Sequence, residues 1–488
     1  VNGDGVDDLA IAAPLAQPPG TSISGRVYVL FGTEAGFGAE FDPATLDGTN
    51  GFAIDSGVAG FRSTDAIAGG GDLNNDGIED IVITSSDDVV RVVYGRTTGF
   101  PARFTLDASD GTSVSSINGI APGEAFGNSI AGAGDVNDDG IDDLLISAPS
   151  ADRGGFVDAG ALYVLYGQSG GFGASFGVGA LDGTNGFAIA GNNANEALGS
   201  RCTGGGDING DGVADIVFTA PGADADGALL GAGEVYVLFG TGVSHGATFV
   251  VITRDGTNGF QVNGTIGVDD QGNPITNSFR LAIALADIDD DGEDDVFIGA
   301  ERTDMQVGPI LTGDEDQGVV HVVYGSDQPF PSTFDLATLD GTNGFVIEGQ
   351  VFNGSFGWDI ACAGDLNGDL RDDVVITDNE GVAYVIFGRE KFGFPDGIVA
   401  GLEDGDWAFR VRSAASTFRV VGAAGDINND GVDDLFAGEP VTGPLSEGAA
   451  YVVYGRLLKR RLEFVKPDDT LDAFDVFRYL ELFEEARP

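Results

Sequence analysis

The sequence predicts an all-β protein, a seven-bladed β-propeller of four-stranded antiparallel blades with a short C-terminal helical tail. Three observations carry that expectation. One acidic motif recurs seven times, the intervals between copies hold the same short apolar runs in the same order, and those runs differ in bulk as radially arranged sheets require.

The motif is clearest in "GAGDVNDDGIDDLLISAP" (132–149), with near-copies at 1–9, 72–80, 207–215, 287–295, 365–373 and 426–434. If the first copy's leading aspartate is placed just before Val1, the spacings run from 61 to 80 residues. A repeat that fills most of a 488-residue chain argues for one repetitive unit over several unrelated domains. We therefore expect a propeller over residues 1–456 and a distinct tail over 457–488. The chain reads as a fragment at both ends.

Each interval begins with a small-residue run such as "SIAGAGD" (129–135), "AIAGGGD" (66–72) or "DIACAGD" (359–365). The acidic loop follows, then an apolar run such as "DLLISAP" (143–149), then "VYVLFG" (27–32) or a counterpart, and last a turn and fourth run such as "LDGTNGFAIAG" (181–191). Runs this short, rich in Val, Ile, Tyr and Phe and bounded by Gly, Asp and Asn, are strands. Gly- and Ala-rich first strands suit a crowded axis, and aromatic third strands suit the wider periphery. A linear solenoid of the same units would need capping repeats, and none is visible.

Aligned, the seven loops read Asp-x-Asn/Asp-x-Asp-Gly-x-x-Asp, with side-chain oxygens at positions 1, 3, 5 and 9 able to converge on one cation. The candidate ligands are Asn2, Asp4 and Asp8; Asp72, Asn74, Asp76 and Asp80; Asp135, Asn137, Asp139 and Asp143; Asp207, Asn209, Asp211 and Asp215; Asp287, Asp289, Asp291 and Asp295; Asp365, Asn367, Asp369 and Asp373; and Asp426, Asn428, Asp430 and Asp434. The position-7 carbonyl can complete the shell. Hard oxygen ligands without His or Cys select Ca²⁺ over zinc or copper, and over Mg²⁺, which keeps more of its water. Carboxylates about 4 Å apart repel by roughly 4 kcal/mol per pair at an effective dielectric of 20, so a dication is the natural occupant. Up to seven calcium sites are expected. The first loop lacks its leading ligand, and the sixth has Leu370 where its sisters have Gly.

The bulk charge agrees. With 78 acids against 23 bases the net charge is -55, which repels nucleic acid and anionic membrane surfaces; thirty of the acids lie in the seven loops. No apolar run approaches the roughly 18 residues of a membrane helix, so no transmembrane segment is expected. Cys202 and Cys362 precede different, non-neighbouring loops and are expected to be buried free thiols. Extracellular calcium modules bind at about 0.1–1 mM, so seven such sites have a use outside the cytosol, in an extracellular or cell-surface protein.

With "FGNSIAGAGDVNDDGIDDLLISAP" (126–149) in view, the pattern resembles the FG-GAP repeat, the blade unit of the integrin α-subunit propeller and of related bacterial surface proteins. The likeness runs over about residues 1–455. Its Phe-Gly element stands at Phe126-Gly127 and Phe356-Gly357, becomes Leu198-Gly199 once, and is Phe-Arg at 61, 279 and 418. The resemblance implies calcium loops on one face that stiffen the propeller, partners on loops of the opposite face, and adhesion as the usual role. It carries the ligand role onto the Asp and Asn residues above and names no adhesion residue.

In the tail, Leu471, Phe474, Phe477, Leu480 and Phe483 fall at helical spacing, and "TLDAFDVFRYLELF" resembles one helix of a dockerin-like module, which would imply a cohesin-like or surface-anchoring partner. A helix packed on the propeller is the alternative. One string, "GVSHG" (242–246), fits the Gly-x-Ser-x-Gly nucleophile turn, but it aligns with ordinary inter-strand loops of the sister repeats, so Ser244 and His245 are not expected to be catalytic. His321 stands where sister strands have Tyr28, Tyr163 and Tyr236, a packing position. The repeated "DGTNGF" reads as a tight turn. The expected function is a non-catalytic, calcium-stabilised propeller that binds an extracellular protein or glycan. The alternative is a recognition or spacer module of a larger secreted hydrolase.

Overall fold

The computed structural model describes residues 1–14, 16, 25–55, 66–85, 87–106, 109–223, 233–242, 246–250, 255–264, 267–268, 274–275, 282–300, 317–349, 354–390, 394, 397–399, 408–412, 418, 420–442, 447–456 and 471–472. The fold class is the one the repeat predicts: an all-β, seven-bladed propeller of small, mostly antiparallel sheets. The chain divides into two compact units, which we describe separately. Blades 1–4 lie in the first, built from Val1–Gly32, Asp42–Thr265 and Ser326–Leu336; blades 5–7 lie in the second, built from Thr33–Phe41, Ile266–Gly325 and Ala337–Pro488.

Blade 3 shows the plan. Its antiparallel strands are Ile130–Gly134, Asp143–Ala148, Ala161–Leu165 and Gly186–Ala190, in that spatial order. The second strand is buried on both faces because the sheet is sandwiched: Leu144 and Ile146 pack against Val82, Val90 and Val92 of blade 2, while Leu145 joins Ile216 and Phe218 of blade 4. This explains a near-continuous apolar run where a one-sided sheet would alternate. Each such layer repeats between successive blades of a unit, including blades 1 and 2, 5 and 6, and 6 and 7.

The small first strands are forced by crowding. A Cβ on Gly132 would sit 3.1 Å from the Gly69 carbonyl of blade 2, and one on Gly204 would sit 3.1 Å from the Ala133 Cα. Register shifts by one residue where the first strand meets the acidic hairpin in blades 2, 3, 4, 6 and 7, a β-bulge that turns the chain into the loop.

Among the described residues the structure adds to six of the blades a strand that the repeat did not announce. Blades 1 to 6 each carry a short outer strand, parallel to the fourth, taken from the next repeat: Arg103–Thr105, Ser175–Gly177, Thr248–Val250, Thr333–Phe334, Gly397–Val399 and Leu471–Asp472. It covers a sheet edge that would otherwise present unpaired N–H and C=O groups. The last of these corrects the tail reading at Leu471, which the helical spacing placed in a helix and which pairs instead with Val411 in a parallel strand. Phe474, Phe477, Leu480 and Phe483 lie outside the described residues, as do Ser244 and His245. Blade 7 is described through three strands, Val420–Gly425, Asp434–Thr442 and Glu447–Val453.

The "DGTNG" segments are closed turns. In blade 3, Asp182 Oδ1 accepts from the Thr184 N–H and hydroxyl at 2.9 and 2.7 Å, and Asn185 Oδ1 accepts from the Asp182 N–H at 3.0 Å. His321 is buried among strands, pairing with Ile298 and Val346, as the packing reading expected. Cys202 and Cys362 are free; Cys202 is buried, whereas Cys362 is only half-buried.

The Phe-Gly element caps the blade end. Phe126 is buried and meets the Tyr163 ring edge-on at 5.8 Å, and the Gly127 N–H donates to the Ser147 carbonyl at 2.7 Å. Phe126→Ala should therefore cost about 3–5 kcal/mol, read as a lower thermal midpoint in calorimetry.

Candidate functional site

The seven acidic segments are the hairpin loops between first and second strands, and their backbone explains part of their composition. Position 6 is left-handed throughout the described loops, with φ of 83° to 92° at Gly77, Gly140, Gly212, Gly292 and Gly431. Leu370 holds φ 71° at the same place, a conformation costing a residue with a Cβ about 1–2 kcal/mol. Position 4 is left-handed too, at Asn75, Asp138, Asp290 and Asn429 and at Gly3, Gly210 and Gly368. Asn, Asp and Gly are the residues that tolerate it, so Asp138 and Asp290 have a backbone reason to be there.

The position-1 carboxylate folds the loop over itself. Asp135 Oδ1 accepts from the Asp139 N–H at 3.0 Å and its Oδ2 from Gly140 at 2.6 Å. Asp72, Asp207, Asp287 and Asp426 bind the corresponding amides of their own loops. At position 5, Asp76, Asp139, Asp211 and Asp291 each accept from the position-7 N–H at 3.0–3.1 Å. Asp4, at the same position of the first loop, accepts from Val6 at 2.9 Å.

Position 9 is the clamp. Asp143 is fully buried, its Oδ2 accepting from Val136 at 3.1 Å and its Oδ1 from the Gly167 N–H at 2.9 Å, so one carboxylate ties the loop to the end of the third strand. Asp80, Asp215, Asp295 and Asp373 repeat both bonds, Asp434 bonds Gly455, and Asp8 bonds Asn2 and Gly32. At position 3, the amides of Asn74, Asn137, Asn367 and Asn428 point at this carboxylate at 3.2–3.5 Å, whereas those of Asn2 and Asn209 point at Asp4 and Asp211. Each carboxylate oxygen offers two acceptor directions, so one backbone bond leaves the other free for a ligand. In the fifth loop Asp287, Asp289 and Asp295 bring carboxylate oxygens within 4.8 Å of one another, close enough to share one metal ion.

Burial without a counter-charge pushes these acids up. Asp80, Asp143, Asp215 and Asp373 rise to about 8 and Asp434 to about 7, from desolvation first, with the position-1 and position-5 carboxylates adding repulsion and backbone N–H groups opposing both. Asp295 is pushed up as well, by desolvation and then by Asp289.

Two sets of residues escaped the sequence reading. Acids at position 8 join loop to loop: Asp142 Oδ2 accepts from the Asp72 N–H at 2.8 Å, Asp433 from Asp365 at 2.8 Å, and Asp372 from Asp287 at 3.2 Å. Their signal was present as an acid at position 8 in six of seven copies. The glycine ending each third strand is the other set. A Cβ on Gly167 would run into the Asp142 carbonyl, so only glycine brings its N–H to the clamp. The next residue then donates to the position-2 carbonyl of a loop, from Gln168 to Leu73 at 3.1 Å, Thr241 to Val136 at 3.0 Å and Arg389 to Ile288 at 2.8 Å.

A repeat propeller whose hairpins gather acidic oxygens is thus the class that fold and site define. The FG-GAP repeat model matches residues 1–30, 126–165 and 203–238, which hold the loops and second and third strands of blades 1, 3 and 4, the first strand of blade 3 and nearly all of that of blade 4. Among curated proteins, integrin alpha-IIb of Mus musculus is 30% identical over 165 residues, integrin alpha-5 of Xenopus laevis 29% over 160, and integrin alpha-IIb of Homo sapiens 31% over 165. Each match covers 31% of this chain and 14% of the relative's length. Among solved structures, BBS1N in a complex with ARL6DN aligns over 85% of this chain and 95% of that one at 9% identity, with a TM-score of 0.36, too slight a likeness to bear on function. No described helix is long and apolar enough to cross a membrane.

The raised position-9 acids set a pH dependence. Without a cation, the folded chain holds protons that the unfolded chain releases above about 4, so this contribution is complete below the ordinary carboxyl pKa of 3.8 and is lost as pH rises through about 8. The cation-free protein should melt higher at pH 5.5 than at pH 8.5 by calorimetry. A divalent cation held by these carboxylates should reverse that order, because it needs the ionised form.

Proposed function

We propose that residues 1–456 are a calcium-stabilised binding propeller that acts outside the cell, on a protein or glycan partner, with no catalytic role. The observation that carries this reading is the fifth loop, where Asp287, Asp289 and Asp295 bring carboxylate oxygens within 4.8 Å of one another, together with the repulsion of the position-9 acid by the position-1 and position-5 carboxylates in loops 2, 3, 4, 6 and 7. The integrin alpha matches and the FG-GAP segments point the same way. In this reading the ligands are the Asp and Asn residues at those positions, a half-turn of the position-3 amide presenting its oxygen to the ion. In the fifth loop calcium would supply two positive charges where three carboxylates face one another. Residues 457–488 act as an attachment segment, of which Leu471–Asp472 runs along the sixth blade.

Partners dock, in this proposal, at the strand ends away from the acidic hairpins. There the loop after the fourth strand of blade 2 exposes Ile120, and the loop after the second strand of blade 3 exposes Phe156 and Val157. The paired Arg153–Glu124 contact, at 2.8 and 3.0 Å, holds those loops to each other, and the Arg153 guanidinium also bonds the Tyr163 hydroxyl. Rigid loops with a few exposed apolar side chains suit a binding surface, since little order is lost on association.

Chelator treatment should lower the melting temperature, and millimolar calcium should restore it, each site contributing about 1.4 kcal/mol at tenfold excess over its dissociation constant. Equal melting with and without the ion would end the calcium reading. On a glycan array and against candidate surface proteins, binding should require calcium and fall at least tenfold in a Phe156→Ser, Val157→Ser double variant. Undiminished binding by that variant would remove the docking assignment.

A further inference from the structure

Loop 6 differs from its sisters in three ways that converge on Arg371. Position 7 is Val6, Ile78, Ile141, Val213, Glu293 and Val432 in the other loops and arginine only here. The half-buried Arg371 guanidinium lies 3.7 Å from Asp369 Oδ2, the position-5 acid of its own loop, 3.3 Å from Asp290 Oδ2 of loop 5, and 3.7 Å from Glu390 Oε1. The Arg371 N–H donates to the other oxygen of Asp369 at 3.2 Å, so both of that carboxylate's oxygens face the same residue.

The position-1 carboxylate is more heavily used as well. Asp365 Oδ1 accepts two backbone N–H groups, from Gly368 at 2.6 Å and Asp369 at 3.0 Å, and Oδ2 accepts a third from Leu370 at 2.7 Å. With both acceptor directions of Oδ1 taken, less of this carboxylate remains for an ion than in the loops where each oxygen holds one amide. Leu370 is 86% exposed, so no packing favours its left-handed backbone; the Asp365 bond helps to fix it.

We propose that Arg371 is the resident cation of the sixth hairpin: its guanidinium takes the place of a divalent ion, and the same group braces loop 6 against the seven-acid loop 5 through Asp290. The proposal rests on reading the other hairpins as calcium sites. Loop 6 then carries its own cation beside its position-5 acid, and Asp369 is paired whether or not calcium is present. A guanidinium is always ionised and presents several N–H donors in a plane, so one side chain can face carboxylates of two loops at once.

Calcium stoichiometry by isothermal titration and equilibrium dialysis on the whole chain tests this. Asp365→Asn should bind as many ions as the parent chain, with Asp369→Asn serving in its place if it does not fold. Asp207→Asn, the control in loop 4, should bind one fewer. A double variant, Leu370→Gly with Arg371→Ile, gives loop 6 the position-6 and position-7 residues of loop 3 and should bind one more. Loss of an ion in Asp365→Asn or Asp369→Asn, or an unchanged count in the double variant, overturns the proposal while leaving the calcium reading intact. A parent chain that takes up no calcium overturns the hairpin reading and this proposal with it.

Discussion

A buried aspartate at the ninth position of each hairpin is the constraint on which the rest depends. Its two oxygens reach in different directions, one to the second amide of the loop and the other to the glycine that ends the third strand. Three strands of a blade are thereby fixed relative to one another at a single point. Such a carboxylate cannot be ionised comfortably on its own, because burial removes its water and two neighbouring aspartates repel it. Clustered acids are in that sense a consequence of the clamp. The chain needs an acceptor of this shape at each hairpin, and the cation we propose makes the charge tolerable.

From the clamp outward, the architecture is built by contact between neighbours. In blade 3 the second and third strands bury both faces, so that sheet needs a sheet on either side, and the first strands are rich in Gly and Ala where backbones meet. Position-8 acids and the latch from each third strand add polar links that run from one hairpin to the next. The result is a set of weak units held by their interfaces.

Blade count, strand order and loop position were legible in the sequence because they follow from repetition, and repetition averages out local noise. Asp135, Asn137, Asp139 and Asp143 could be grouped from spacing alone. Their division of labour could not. That Asp143 is a structural clamp, while Asp135 chiefly shapes the loop, depends on which amides each one meets. Position 4 drew no reading from the sequence, because the left-handed backbone that Asp138 and Asp290 share with Asn75, Asn429 and three glycines shows only in the folded loop. Asp142 was visible as an acid but not as a link, because its partner, the Asp72 amide, lies a whole repeat away. At Leu471 the apolar spacing suggested a helix, and the open edge of a sheet claimed the residue instead.

The outer parallel strands bear on how this protein could be taken apart. Because every blade from the first to the sixth borrows its last strand from the following repeat, a cut at the boundary suggested by the acidic motif strips one piece of its border and leaves another carrying a strand it has no use for. A minimal fragment for production or grafting should run past its final motif, through the connection between the third and fourth strands of the next repeat. Shorter fragments would be expected to stick to one another along the bared edge.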